Sequence, residues 1–181
     1  MSETPMTVRE LRARMDAGLA RFEAALDRLS EEQLTGPKDA AGWSVRDHLT
    51  HLAVWADGIT ALLRGEDRWK AMGISPDLTT STAGGELDYD AINEQIAERH
   101  RQLSAAEARA LLAAAHQRLA AEVDKLTDEQ LAWPYERFVP PFTGKEGRPI
   151  VQYIAGNHYG HFAEHLEWIE ALVAGQAPSQ P

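Results

Sequence analysis

The chain has 181 residues, none of them cysteine, and a formal net charge of −10 from 18 Lys+Arg against 28 Asp+Glu. Without cysteine there are no disulfides, no thiolate-bound metal and no cysteine nucleophile, so any metal must bind through nitrogen or oxygen. The negative charge repels phosphate backbones and anionic lipid headgroups, so we expect neither a nucleic-acid partner nor a membrane partner.

The length predicts a single domain over residues 1–181, large enough to bury a core without covalent crosslinks. No apolar run approaches the ~20 residues of a membrane-spanning helix, and no export signal is visible. Together with the cysteine-free composition, these features lead us to expect a cytoplasmic protein.

The first two helices are predicted from their apolar spacing and their ends. Apolar residues recur in steps of three and four over 8–29, and Thr7 with Glu10 forms a capping-box pair at the start. A second helix is predicted from Ser44 to about Arg64, where Gly65 ends it.

The remaining chain predicts two more long helices after a long connection. Residues 72–90 are rich in Gly, Pro, Ser and Thr and are predicted as a loop, followed by a short helix over 89–102. Ser104 with Glu107 caps a third long helix, and Pro149 opens a fourth that ends near Gly175. The predicted fold class is therefore all-α, a bundle of four long helices with a long crossover between the second and third.

One stretch of sequence recurs in the second half of the chain. Residues 26–34, LDRLSEEQL, resemble residues 123–131, VDKLTDEQL, and each stretch is followed by a proline. The similarity indicates either a duplicated helical hairpin or two unrelated segments that converged on the same capped turn.

Histidines on the fourth helix are the main candidates for chemistry. His161 and His165 lie four residues apart, which places their rings ~5 to 6 Å from each other on one helix face. That face is apolar and also holds His158, and buried imidazoles are costly unless they are paired or ligated. The second helix offers His51 or His48 as a third ligand, and helical periodicity alone favours His48 without excluding His51.

Two motifs resemble the DinB/YfiT-like superfamily. The first is Trp43-Ser44-Val45 with His51-Leu52 eight residues after the tryptophan, and the second is the His161-x-x-x-His165 pair on the last helix. Carried over position by position, the resemblance selects His51 rather than His48, so that His51, His161 and His165 form the implied metal-binding triad. His158 is additional to the family pattern.

The resemblance implies a four-helix bundle, a homodimer and a divalent metal, most commonly zinc or nickel, on the triad. Family members include transferases that use a low-molecular-weight thiol such as bacillithiol or mycothiol, a mycothiol-dependent maleylpyruvate isomerase, and proteins that protect against colibactin. Three imidazoles leave an open coordination position, which is typical of a catalytic site rather than a structural one.

These observations lead to two hypotheses about function. The first is a metal-dependent enzyme acting on a small-molecule substrate, either a thiol-dependent S-transferase or a hydrolase, because the metal could activate a thiol or water. The second is a helical bundle that binds or sequesters a small molecule or toxin without catalysis.

The other candidate residues are given structural roles. Glu164 and Asp47 are expected to be solvated charges, with orientation of an imidazole or action as a base as the alternative. Trp43 and Trp55 are expected to pack in the core or an interface, and the aromatic segment 133–142 is expected to be a packed loop that could line a cavity mouth. The last two histidines, His116 and His100, are expected at the core edge and in solvent.

Overall fold

The computed structural model describes residues 6–79, 87–139 and 147–175. Within these ranges the chain contains α-helices, one short 3₁₀ helix and no β-strand, which confirms the all-α class. The helices are α1 (Val8–Leu26), α2 (Glu31–Thr35), α3 (Val45–Leu63), α4 (Arg68–Met72), α5 (Pro76–Thr79), α6 (Tyr89–His100), α7 (Ala105–Val123), α8 (Asp128–Leu131), α9 (Ile150–Gly156) and α10 (Tyr159–Val173), and the 3₁₀ helix is Tyr135–Phe138. None of the helices in the described part is long and apolar enough to span a membrane.

The predicted helix starts are confirmed by their caps. Thr7 and Glu10 form a reciprocal capping box at α1, and Ser104 with Glu107 does the same at α7. Ser44 is the N-cap of α3, and Gly65, with φ of 70°, follows its end. These local hydrogen bonds satisfy backbone groups that would otherwise be left unpaired at helix ends.

Helix α3 is the central element of the bundle. It packs against α7 on one side and contacts α4, α6 and α10 on the others. All residues of α3 are buried except Arg46, Asp57 and Leu63, which are partly exposed. A helix buried on nearly all sides has no single inward face. The position of a histidine along α3 therefore does not decide whether its ring is inside the protein.

The crossover between α3 and α7 is more ordered than the sequence predicts. The expected loop over 72–90 contains the short helix α5, while residues 80–86 lie outside the described residues. A second apolar cluster holds this region to α3 and is formed by Val54, Trp55, Met72, Ile74, Ile92 and Ile96. Burial of these side chains gives the crossover its own small core, which composition alone did not reveal.

The prediction of a single, continuous fourth helix is wrong, because this part of the chain forms two helices, α9 and α10. His158 has φ of −133° and ψ of −106°, which is not a helical conformation, and the Asn157 side-chain amide donates to the carbonyl of Tyr153. Gly156 and Asn157 have low helix propensity, and an asparagine side chain that bonds the backbone favours a helix end.

The two similar stretches of sequence have the same local structure. Each follows a long helix and forms a short helix that begins with a capping box, Ser30 with Gln33 at α2 and Thr127 with Gln130 at α8. This likeness is compatible with duplication and equally with two separate capped turns.

Candidate metal centre

Three of the predicted histidines meet between α3 and α10. His51 comes from α3, while His161 and His165 come from successive turns of α10, and one nitrogen from each ring lies within 4.8 Å of the others. The Nε2 atoms of His51 and His161 are 3.1 Å apart. Two nitrogens bound at ~2.1 Å to one ion lie about 3.0 Å apart in octahedral and about 3.4 Å apart in tetrahedral geometry. This cluster could therefore hold a metal ion.

Burial keeps these imidazoles neutral, which is the state that binds metal. Loss of solvation lowers the pKa of His161 to about 4, and the neighbouring His48 adds to the effect. Loss of solvation also holds the pKa values of His51 and His165 well below their ordinary range. The Nδ1 atoms of His51 and His161 are buried and make no hydrogen bond within the described residues.

His48, the alternative third ligand, contacts the cluster through the ring of His165. Its Nδ1 lies 2.8 Å from Nδ1 of His165, and its Nε2 lies 3.3 Å from a carboxylate oxygen of Asp39. Of the two facing Nδ1 atoms, one must donate and the other must accept. When the proton of His48 is on Nε2, on the side of Asp39, His165 is the donor and uses its own Nδ1. Nε2 of His165 is then its lone-pair nitrogen, the tautomer required of a ligand that binds through Nε2.

Asp39 was not predicted, and Asp47 does not have the role considered for it. Asp39 lies before α3, where its other oxygen accepts from the Trp43 backbone amide at 2.8 Å. Asp47 is buried and accepts from the Ser44 hydroxyl and amide, which with Arg46 lower its pKa to about 2 despite the cost of burial. Asp47 thus caps α3, and within the described ranges no hydrogen bond joins it to an imidazole. The only sequence signal for Asp39 is an acidic residue a few positions before the helix.

A second pair of buried histidines is separate from the triad. Nδ1 of His116 on α7 lies 2.8 Å from Nε2 of His158, and Nε2 of His116 lies 3.2 Å from a carboxylate oxygen of Asp16 on α1. Loss of solvation lowers the pKa of His158 to about 3. His158 was expected on the same face as His161 and His165, but the helix break turns it toward α7. His116 was expected at the core edge and is buried. The last histidine, His100, is partly buried, with its ring against the carbonyl of Ile96.

The triad lies in the wall of a cavity of about 910 Å³. Aromatic side chains form much of this wall, and they are Trp43, Trp55, Tyr89 and Trp168. Trp43 and Trp55 therefore line the cavity as well as packing beside His51. The described part of the segment 133–142 packs against the main core and does not line this cavity; Trp133 contacts Phe138, and Tyr135 stacks on Tyr153. Residues 140–142 lie outside the described residues.

A sequence model of the DinB superfamily matches residues 14–169. The chain belongs to the DinB superfamily. No curated protein matches this DinB-superfamily chain. Its fold is shared with an uncharacterised protein from Escherichia coli UTI89, with a TM-score of 0.69 and 17% identity over 95% of both chains. A protein from Streptococcus pneumoniae gives a TM-score of 0.70 at 16% identity over 94% of this chain and 92% of that one.

A third solved structure of this fold corrects an expectation about partners. ClbS, a colibactin self-resistance protein crystallised with double-stranded DNA, gives a TM-score of 0.68 at 12% identity over 94% of this chain and 97% of that one. The expectation that nucleic acid is excluded is therefore wrong. Net charge sums over the whole surface, whereas DNA contacts depend on where individual cations and hydrogen-bond donors lie. The charge of this DinB-superfamily chain does not exclude such a partner.

Proposed function

We propose that this DinB-superfamily protein is a metal-dependent enzyme that acts on a small molecule in the 910 Å³ cavity. The ligands in this proposal are His51, His161 and His165, and the metal is zinc or nickel. The observation that supports it is the convergence of three neutral imidazoles from two helices in the wall of a cavity with aromatic sides. Three nitrogen ligands leave a position open for substrate or water.

The proposed reaction is thiol-dependent group transfer or hydrolysis. A divalent ion at this site would supply Lewis-acid chemistry, which makes a thiol or a water molecule nucleophilic near neutral pH. The chain itself supplies the rest of the site. His48, beside Asp39, contacts the ring of His165, and Trp43 and Trp168 present apolar surface against which a substrate can pack.

Metal binding by single-site variants tests the ligand assignment. The full chain is dialysed against zinc or nickel, and bound metal is measured by elemental analysis in the wild type and in His51→Ala, His161→Ala and His165→Ala. We expect about one ion per wild-type chain and loss of that ion in each variant. His100→Ala is the matched control, because His100 is on α6 outside the triad and its ring nitrogen is hydrogen-bonded to the carbonyl of Ile96 on the same helix. A wild type without bound metal, or three variants that retain it, would contradict the proposal.

Catalysis is separated from sequestration by removing the metal. Under the enzyme proposal, the metal-loaded chain accelerates either the displacement of halide from an activated aryl halide by a thiol, with release of halide ion and a proton, or the hydrolysis of an aryl ester. His161→Ala abolishes the acceleration. If the protein only sequesters a small molecule, binding to the cavity persists after chelation and no turnover occurs with either form.

DNA association is a second candidate function. The observation that favours it is the crystallisation of ClbS, which has this fold, with double-stranded DNA. The test is a mobility-shift titration of this chain with a short duplex at low and moderate salt. Binding that weakens steeply with salt supports phosphate contacts, and no shift at micromolar protein and low salt contradicts the candidate.

A further inference from the structure

The side chains that line the cavity carry charge of one sign. The charged residues in its wall are Asp90 and Glu94 on α6 and Glu164 on α10, and no lysine or arginine lines the cavity among the described residues. All three carboxylates are exposed, whereas the histidine triad is deeper, with His51 and His165 buried. The cavity therefore has an acidic mouth and an inner wall that contains the proposed metal ligands.

The same mouth presents aromatic surface. Tyr89 is 53% exposed, the most exposed large apolar side chain among the described residues, and its ring centroid is 6.0 Å from that of Trp55. Trp43 and Trp168 complete the aromatic wall nearer the histidines. Aromatic rings bury flat apolar groups by stacking, and the partial negative charge of their faces attracts organic cations.

We propose that the cavity selects a flat apolar molecule that carries a cationic amine or ammonium group and disfavours anionic molecules. This proposal rests on the proposed function, because it names the substrate class of the same site. The aromatic walls bind the flat body of the ligand, and the carboxylates of Asp90, Glu94 and Glu164 lie at the mouth beside its positive group. Any thiol used in the reaction is correspondingly neutral or cationic, since a thiol that carries several carboxylates would meet the carboxylates at the entrance. Glu94 contributes least to this repulsion, because one of its carboxylate oxygens lies 3.9 Å from the guanidinium of Arg101.

The proposal is tested with three naphthalene probes that share a flat body and differ in charge. They are the (2-naphthylmethyl)trimethylammonium ion, 2-naphthylmethanol and 2-naphthalenesulfonate, and a quaternary ammonium group cannot itself bind a metal. Calorimetric titration of the full chain, as purified and after chelation, is expected to show at least a roughly tenfold preference for the cation over the sulfonate. Three exposed carboxylates that each contribute modestly are sufficient for this ratio.

A matched pair of variants separates the cavity carboxylates from the overall charge. In the test variant, Asp90→Asn, Glu94→Gln and Glu164→Gln are combined, and we expect the preference to fall below about threefold. In the control variant, Glu98→Gln, Glu167→Gln and Glu170→Gln are combined. These three side chains are exposed on the same two helices but do not line the cavity. The control has the same net charge as the test variant and is expected to keep the wild-type preference.

The outcomes for the two proposals are distinguishable. Equal or tighter binding of the sulfonate by the wild type overturns the cation preference, and so does a control variant that loses the preference as fully as the test variant. A wild type that prefers the cation but binds no zinc or nickel refutes the metal-dependent function and leaves the charge selectivity standing. A wild type that binds metal without any charge preference refutes the charge selectivity and leaves the metal-dependent function standing.

Discussion

Replacement of His48 tests how the triad is held in its metal-binding form. His48 is 1% exposed, and its Nδ1 lies 2.8 Å from Nδ1 of His165, where it serves as the acceptor when His48 carries its proton on Nε2. In His48→Leu this acceptor is lost, and His165 is free to carry its proton on Nε2. Metal binding through Nε2 must then move the proton to Nδ1, where it has no partner. His48→Asn is the matched variant, because the amide oxygen of asparagine can take the place of the imidazole Nδ1.

The expected loss in metal affinity follows from one buried donor left without an acceptor. Such a donor costs about 1 to 3 kcal/mol, and removal of a group that orients a metal ligand typically weakens affinity about 10- to 100-fold. We therefore expect His48→Leu to bind zinc about 10- to 100-fold more weakly than the wild type, and His48→Asn to remain within a few-fold of it. Zinc competition with a chromophoric chelator measures these affinities, and thermal unfolding establishes that each variant is folded.

Two results would refute the tautomer explanation. One is a folded His48→Leu protein that binds zinc as tightly as the wild type, which would mean that His165 needs no acceptor. The other is a folded His48→Asn protein that loses as much affinity as His48→Leu, which would mean that packing around His48 matters and the hydrogen bond does not. His100→Leu controls for the loss of a histidine elsewhere, because its ring contacts the carbonyl of Ile96 on its own helix.

Further predictions concern stability and assembly. Burial lowers the pKa of His158 from 6.5 to about 3, so the unfolded chain binds more protons than the folded chain between these values. Stability therefore falls as the pH drops below 6.5, and His158 contributes up to about 1.4 kcal/mol per pH unit to this fall, in addition to the contributions of the triad histidines. His158→Asn removes its own share and makes the profile measured by urea unfolding less steep. Gly18→Ala places a methyl group 2.6 Å from Cβ of Tyr159 and should destabilise the protein by about 1 to 3 kcal/mol in the same assay, whereas Gly156→Ala meets no atom within 4 Å and should not. If residues 1–181 form one domain, different spectroscopic probes of urea unfolding give coincident transitions; a second, separate transition would contradict this. Light scattering tests the expected homodimer, and a monomer at micromolar concentration would contradict it.

The helix starts were predictable because their causes are local. Thr7 with Glu10 and Ser104 with Glu107 each form a complete capping box within four residues, so a short stretch of sequence contains both partners. The structured crossover was not predictable in this way. Its order comes from contacts such as that between Met72 and Gly58, whose partners are separated in sequence and whose effect depends on the packed bundle.

The choice between His48 and His51 shows the limit of periodicity at the site. Periodicity assumes one inward face, but α3 is surrounded by other helices, and both histidines are buried. The family resemblance selected His51, and the structure places His51 beside His161 and His165. His48 approaches the same cluster through His165, and its partner Asp39 lies outside any helix. A contact made by a residue between helices has no period from which to predict it.

The break between α9 and α10 explains why the fourth-helix histidines divide into two groups. At 100° per residue, a continuous helix would place His158, His161 and His165 within one narrow arc, as the sequence predicted. The non-helical backbone of His158 instead directs its ring to His116 on α7, while His161 and His165 begin a new helical register that faces α3. The low helix propensity of Gly156 and Asn157 thus affects the composition of the cluster, because the break keeps a fourth imidazole away from His51, His161 and His165. A metal held by the three proposed ligands would therefore keep an open coordination position.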